Sequence, residues 1–153
     1  MIPRTLYDSD HDMFRDTVRK FLEVEAVPHH AQWEKDGMVS DEIWLKAGEQ
    51  GFLCPTVPEE YGGVGVDFRY NCIVNEEIGH AGCTGLGWTL HSDIAVPYIV
   101  RYGSEEQKQR FLPRCVSGEL ITAIAMTEPS AGSDLQGTKT TAVLDGDEWV
   151  LNG

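Results

Sequence analysis

The feature that most limits what these 153 residues can build is a change of period at Gly118. Before it, apolar side chains recur at helical spacing between glycine and proline breaks. After it they run consecutively, then flank a turn. Phe14, Val18, Phe21 and Leu22 fall at i, i+4, i+7 and i+8, one face of a first helix that Asp8 or Asp10 can cap. Pro28 must kink or restart that helix, because it lacks an N–H, and Gly37 ends the continuation. Ser40 caps a second helix that buries Ile43, Trp44 and Ala47 and stops at Gly51.

Cys54–Gly65, with two prolines and Tyr-Gly-Gly-Val-Gly, reads as a loop. No strand precedes its glycines, and a dinucleotide fingerprint is not met. A third helix, capped near Asp67, turns Tyr70, Ile73, Val74 and Ile78 to one side, and Gly79 and Gly82 close it. A fourth, Leu86–Tyr102, is mostly apolar and expected deep in the bundle, bent or broken at Pro97. Ser104-Glu105-Glu106-Gln107 is a capping box opening a fifth helix that packs Phe111, Leu112 and Val116. Pro113 shortens or kinks that helix, and Gly118 ends it.

Beyond Gly118, Leu120–Thr127 is an apolar run of strand length, and Thr138–Leu144 and Glu148–Asn152 flank an Asp-Gly turn typical of a hairpin. The fold expected is mainly α: a helical domain over residues 1–118, then over 119–153 the first strands of a β-barrel-like domain. Three short strands with an open edge make an unfinished sheet, so the chain reads as a piece of a longer protein.

Lys and Arg total 12 against 25 Asp and Glu, a formal net charge of -13. Phosphate backbones need clustered cations, and the clusters here, Arg15/Arg19/Lys20 and Lys108/Arg110/Arg114, share their helices with acids. Nucleic acid is not an expected partner. No apolar run approaches the ~20 residues of a membrane span. Cys54, Cys72, Cys83 and Cys115 lack C-x-x-C spacing and read as buried or half-buried thiols in a reducing compartment. The first ten residues show no apolar stretch of a secretory leader.

Glu77-x-x-His80 has the spacing of a di-iron ligand pair, but no second copy accompanies it, so both read as surface or helix-end residues. His29-His30 has no carboxylate or thiol at ligand spacing. No metal is expected. The informative stretch is Met126-Thr127-Glu128-Pro129-Ser130-Ala131-Gly132-Ser133-Asp134. It leaves a strand end, where functional loops often sit, and Ala131-Gly132-Ser133 can turn successive N–H groups toward one anion. Thr127 and Ser133 add uncharged donors. An ordinary turn between strands remains open on these residues alone.

Ala125–Gly137 resembles the flavin-site signature of the acyl-CoA dehydrogenase family at every position. Phe14–Phe21, Trp44 through Phe52, Pro58–Gly63 and Gly103–Lys108 resemble that family's helical domain in order, and His91-Ser92-Asp93-Ile94 with Ala123–Pro129 is most similar to its long-chain branch. The resemblance implies bound FAD contacted by Ile124, Ala125, Met126, Thr127, Glu128, Pro129, Ser130, Ala131, Gly132 and Ser133. Met126 and Thr127 would offer N–H groups, and Thr127 its hydroxyl, to the ring's polar edge. Ser133 would also reach the fatty acyl-CoA, while Glu128, Pro129 and Asp134 shape the loop.

The implied reaction is α,β-dehydrogenation of a fatty acyl-CoA of medium-to-long chain. A base takes the α-proton as the β-hydride passes to flavin N5, and an electron-transfer flavoprotein accepts the electrons. The family carries its base on a C-terminal helical bundle, so no catalytic residue is expected among these 153, and by themselves they are expected to be inactive. Around Gly85–Val96 the helical domain would wall the acyl tunnel; Gly85 and Gly87 either leave room for an alkyl chain or permit close packing. A dimer or tetramer is implied, in the cytoplasm of a bacterium or the mitochondrial matrix of a eukaryote. Alternatives are an oxidase or monooxygenase relative that returns electrons to oxygen, and a non-catalytic helical binding module.

Overall fold

A computed structural model describes residues 5–153; the part of the leader argument that rests on Met1–Arg4 lies outside them. Six α-helices are followed by a hairpin: α1 (Ser9–Phe21), α2 (Val27–Asp36), α3 (Asp41–Glu49), α4 (Phe68–Ala81), α5 (Val96–Tyr102), α6 (Glu105–Ser117), β1 (Thr141–Asp145) and β2 (Glu148–Asn152). The chain forms two compact units, one through Ala123 and one from Ile124 to Gly153.

All but one of the stop and start signals described next act as expected. Asp8 accepts from the amides of Asp10 and His11 at the head of α1, Ser40 from Glu42 at α3, and Asp67 from Arg69 at α4. Ser104 and Gln107 exchange both bonds of the capping box. Gly37, Gly82 and Gly118 end their helices in the left-handed conformation. Gly79 lies inside α4 and ends nothing. Pro113 lies inside α6, which continues to Ser117.

Both remaining helical prolines restart a helix after a wide π turn. Leu22–Ala26 precedes α2 and Leu90–Ala95 precedes α5. In each, the residue before proline donates five residues back, Val27 to the Leu22 carbonyl and Val96 to the His91 carbonyl. The proline that follows cannot donate, and its ring crowds the preceding turn, so the ladder widens there.

The core of the first unit gathers Val18, Leu22, Ala26, Ile43, Trp44, Ala47, Phe52, Leu53, Leu86, Trp88, Val96 and Leu112. Phe52 is edge-on to Phe14 and Phe21, and Trp44 to Trp88. The fourth helical segment corrects the expectation drawn from its composition. A tight turn at Thr84–Leu86 leads into it, the π turn interrupts it, and it buries one face only. Leu86, Trp88, His91, Ser92 and Val96 point inward, while Leu90, Ile94, Tyr98 and Tyr102 are exposed. A run of apolar residues carries no period, so its sequence could not tell a buried helix from a two-sided one.

Leu120–Thr127 is a second correction. No strand forms there, because no neighbouring segment among the described residues supplies a ladder, and Ile121, Ala125, Met126 and Thr127 are exposed. The hairpin does form, with Thr141 opposite Asn152 and Asp145 opposite Glu148. Gly146 (φ 62°) opens its two-residue loop, where a positive φ matches the strand twist.

Candidate functional site

The donor-bearing loop lies in the second unit and closes on itself. The Glu128 amide donates to the Ala131 carbonyl at 3.0 Å, and the Ala131 amide returns a bond to Glu128 at 3.1 Å. The Glu128 carboxylate accepts from the Ser130 hydroxyl, from the amides of Lys139 and Thr140, and from the Thr140 hydroxyl. Those bonds, Ser130 first, pull its pKa down to about 2. Glu128 therefore fastens the loop as a carboxylate, with its oxygens already occupied.

The other residues divide by what they leave open. Ala131 is buried, Ile124 and Glu128 are half-buried, and Ala125, Met126, Thr127, Pro129, Ser130, Gly132 and Ser133 are exposed. Among the described residues the N–H groups of Met126 and Thr127 and the hydroxyls of Thr127 and Ser133 meet no partner in the chain. A methyl group on Gly132 would meet nothing within 4 Å. The result is a set of uncharged donors left open on this stretch, with room at Gly132. A flavin presents an acceptor-rich ring edge and a pyrophosphate, so these donors fit it without a competing carboxylate.

In the first unit, His91 escaped the sequence reading as anything but part of a motif. Its side chain is fully buried, edge-on to Trp44. Nδ1 accepts from the Thr122 amide at 3.1 Å and lies 2.8 Å from the Thr122 hydroxyl; Nε2 is 3.0 Å from the Cys115 carbonyl. An Nδ1 that accepts from an amide carries no proton, so Nε2 bears the hydrogen and donates to Cys115. Burial lowers the ring's pKa, partly offset by the Cys115 bond, and the neutral form results.

Beside His91, the exposed side of the same segment contributes Asp93, Ile94, Pro97, Tyr98, Arg101 and Tyr102 to an open groove. Asp93 is held by the side-chain amides of Asn71 and Asn75. Gly85 shows the close-packing alternative: a methyl there would come within 3.2 Å of His30 Nε2, which accepts the Gly85 amide. His30 is thus a packed structural residue.

Glu77, expected at the surface, is 2% exposed and paired with Arg15 and Arg19. Helical spacing put it one turn from His80 but could not reveal the two arginines that α1 brings over it. No group of three or more His, Cys, Asp or Glu among the described residues is placed to hold a metal. All four cysteines are free; Cys54, Cys83 and Cys115 are buried, and burial pushes Cys54 up to about 12 and Cys115 to about 11.

Residues 8–119 match the sequence profile of the acyl-CoA dehydrogenase N-terminal domain. The chain belongs to the acyl-CoA dehydrogenase family. It is 55% identical over 150 residues to the pig (Sus scrofa) mitochondrial long-chain specific acyl-CoA dehydrogenase, covering 98% of this chain and 35% of that protein. The crystal structure of an acyl-CoA dehydrogenase from Geobacillus kaustophilus superposes with a TM-score of 0.93 at 55% identity, over 99% of this chain and 40% of that one. A Bacillus anthracis acyl-CoA dehydrogenase solved in complex with FAD gives 0.87 at 38% identity, over 97% and 26%. The chain spans about a third of the length of the curated relatives it matches. Among the described residues no helix is long and apolar enough to cross a membrane.

Proposed function

We propose that the complete protein is an FAD-dependent acyl-CoA dehydrogenase that desaturates fatty acyl-CoA thioesters of medium-to-long chain. The observation that carries this reading is the set of open donors at Met126, Thr127 and Ser133, on a stretch that resembles the family's flavin signature. The pig relative is named for long-chain substrates and the Bacillus anthracis relative was solved with FAD, which supports both choices.

In this reading Ile124–Ser133 holds the cofactor. The amides of Met126 and Thr127 and the Thr127 hydroxyl bond the ring's polar edge, where fixed donors stabilise negative charge without reorganising. Ser133 bonds the pyrophosphate side and the acyl-CoA. Glu128 keeps the loop in shape and takes no part in proton transfer, since four donors hold it ionised. FAD, when bound, supplies the hydride acceptor. The α-proton goes to a base outside these residues. The groove beside Ile94 and Tyr98 forms part of the wall along the alkyl chain.

Electrons pass to an electron-transfer flavoprotein, and the complete protein works as a dimer or tetramer. Its place is the mitochondrial matrix in a eukaryote, the pig relative being named as mitochondrial, or the cytoplasm in a bacterium. The helical domain takes residues 1–118, and the β-domain opens at 119. FAD titrated into the deflavinated complete protein tests the site. Thr127→Val is expected to raise the Kd about tenfold, the size of one buried hydrogen bond to a charge-bearing partner. An unchanged Kd would remove Thr127 from the site.

A further inference from the structure

We propose that Thr140 is a positioning residue for the flavin site: it clasps Glu128 from across the loop and so holds closed the segment that carries Ser133. The inference rests on the flavin reading above.

Thr140 immediately precedes β1 and meets the Glu128 carboxylate twice. Its amide donates to Oε2 at 3.0 Å and its hydroxyl donates to the same oxygen, while the Lys139 amide donates to Oε1. These three bonds close residues 128–140 into a ring whose ends meet at one side chain. Inside the ring, Glu128 exchanges bonds with Ala131, the Gly137 amide donates to the Asp134 carbonyl, and Thr138 donates to the Leu135 carbonyl through its amide and its hydroxyl. Ser133 lies between those turns. Each of the turn bonds spans three residues, whereas the clasp spans 11 and 12. The turns shape the ring locally, and the clasp sets its closure.

The hydroxyl of Thr140 has a fixed place. Thr141 pairs with Asn152 across the hairpin, and a methyl group on the next residue, Gly153, would overlap the Thr140 side chain at Oγ1 and Cβ. The root of the hairpin thus backs the hydroxyl on one side, and the Glu128 carboxylate takes its hydrogen on the other. Thr140 joins the hairpin to the donor-bearing loop, and every residue of this junction belongs to the second unit. With the hydroxyl removed, the ring opens more readily, and a flavin that bonds Ser133 must close it. That closure weakens binding without removing any flavin contact.

Two substitutions at one position separate this role from simple packing. Thr140→Val keeps the amide and the β-branched shape and removes the hydroxyl. Thr140→Ser keeps the hydroxyl and gives up the methyl group. In the complete protein, FAD Kd, amide exchange over residues 128–140 and the titration of the Glu128 carboxyl are measured together.

Thr140→Val is expected to raise the Kd about fivefold and to speed exchange within the ring. It also lets the Glu128 pKa, held at about 2 by the Ser130 hydroxyl first and the Thr140 hydroxyl next, rise toward its ordinary value. Thr140→Ser is expected to stay close to wild type in all three. A folded Thr140→Val protein with wild-type Kd overturns the proposal, as does a Thr140→Ser protein that loses as much as Thr140→Val. A wild type that holds no FAD overturns the flavin reading, and the flavin role of Thr140 with it; the Glu128 titration then still reads the clasp by itself, so the two failures are told apart.

Discussion

Arg19 grips Glu77 with two parallel bonds, Nε to Oε2 at 2.9 Å and Nη2 to Oε1 at 3.1 Å, across the interface of α1 and α4. Arg15 adds a third at 2.9 Å. A buried carboxylate is tolerated only when its oxygens are satisfied, and here both are.

Removing that carboxylate leaves the half-buried Arg15 with its Glu76 pair and its contact over the Tyr7 ring. Glu77→Ala is expected to lower stability by about 2 kcal/mol, the usual cost of losing charged hydrogen bonds at a buried site. Urea denaturation checks it.

The same pair predicts a pH slope. Burial alone would raise the Glu77 pKa, but hydrogen bonds from Arg19 and Arg15 outweigh it and hold the carboxyl below its ordinary value. The unfolded carboxyl titrates near ~4.3. The stabilisation is thus fully present above that pH and is lost as pH falls through the lower folded value. Glu77→Gln should flatten the acid limb of the stability profile; an unchanged limb would show that the pair does not drive it.

His91 predicts a slope in a different window. Its folded pKa is lowered from an unfolded value near ~6.5. Below that pH the unfolded chain takes up a proton that the native ring refuses, so stability declines as pH falls from about 6.5 toward the folded value. His91→Asn should remove this part of the decline, read from thermal melts at several pH values.

Two glycines should respond in opposite degree. A Cβ on Gly48 would lie 2.2 Å from the Ser117 carbonyl oxygen, backbone against backbone, whereas Gly37 at φ 69° has nothing within 4 Å. Gly37→Ala should cost about 1 kcal/mol, for the left-handed conformation alone. Gly48→Ala must push α3 off the end of α6 and should cost about 3 kcal/mol or more.

Local chemistry explains what could be read from the residues. Caps, breaks and the Gly146 turn depend on neighbours a few positions apart, so Ser104, Pro28 and Gly118 announced themselves. The loop proposed to hold the flavin stands out in the sequence as a motif, because thirteen consecutive positions carry it. What escaped depends on partners distant in sequence. Glu77 finds its arginines 58 and 62 residues away, and His91 finds Thr122 31 residues on. The expectation of a strand at Leu120–Thr127 failed for the same reason, since β-propensity needs a paired neighbour to become a ladder.

The central claim is that Met126, Thr127 and Ser133 serve a flavin that oxidises an acyl-CoA. The direct measurement is the visible spectrum of the purified complete protein, taken before and after anaerobic addition of a long-chain acyl-CoA. The account predicts oxidised-flavin absorption that bleaches on addition. Flavin that stays oxidised, or a protein that carries none, would contradict it.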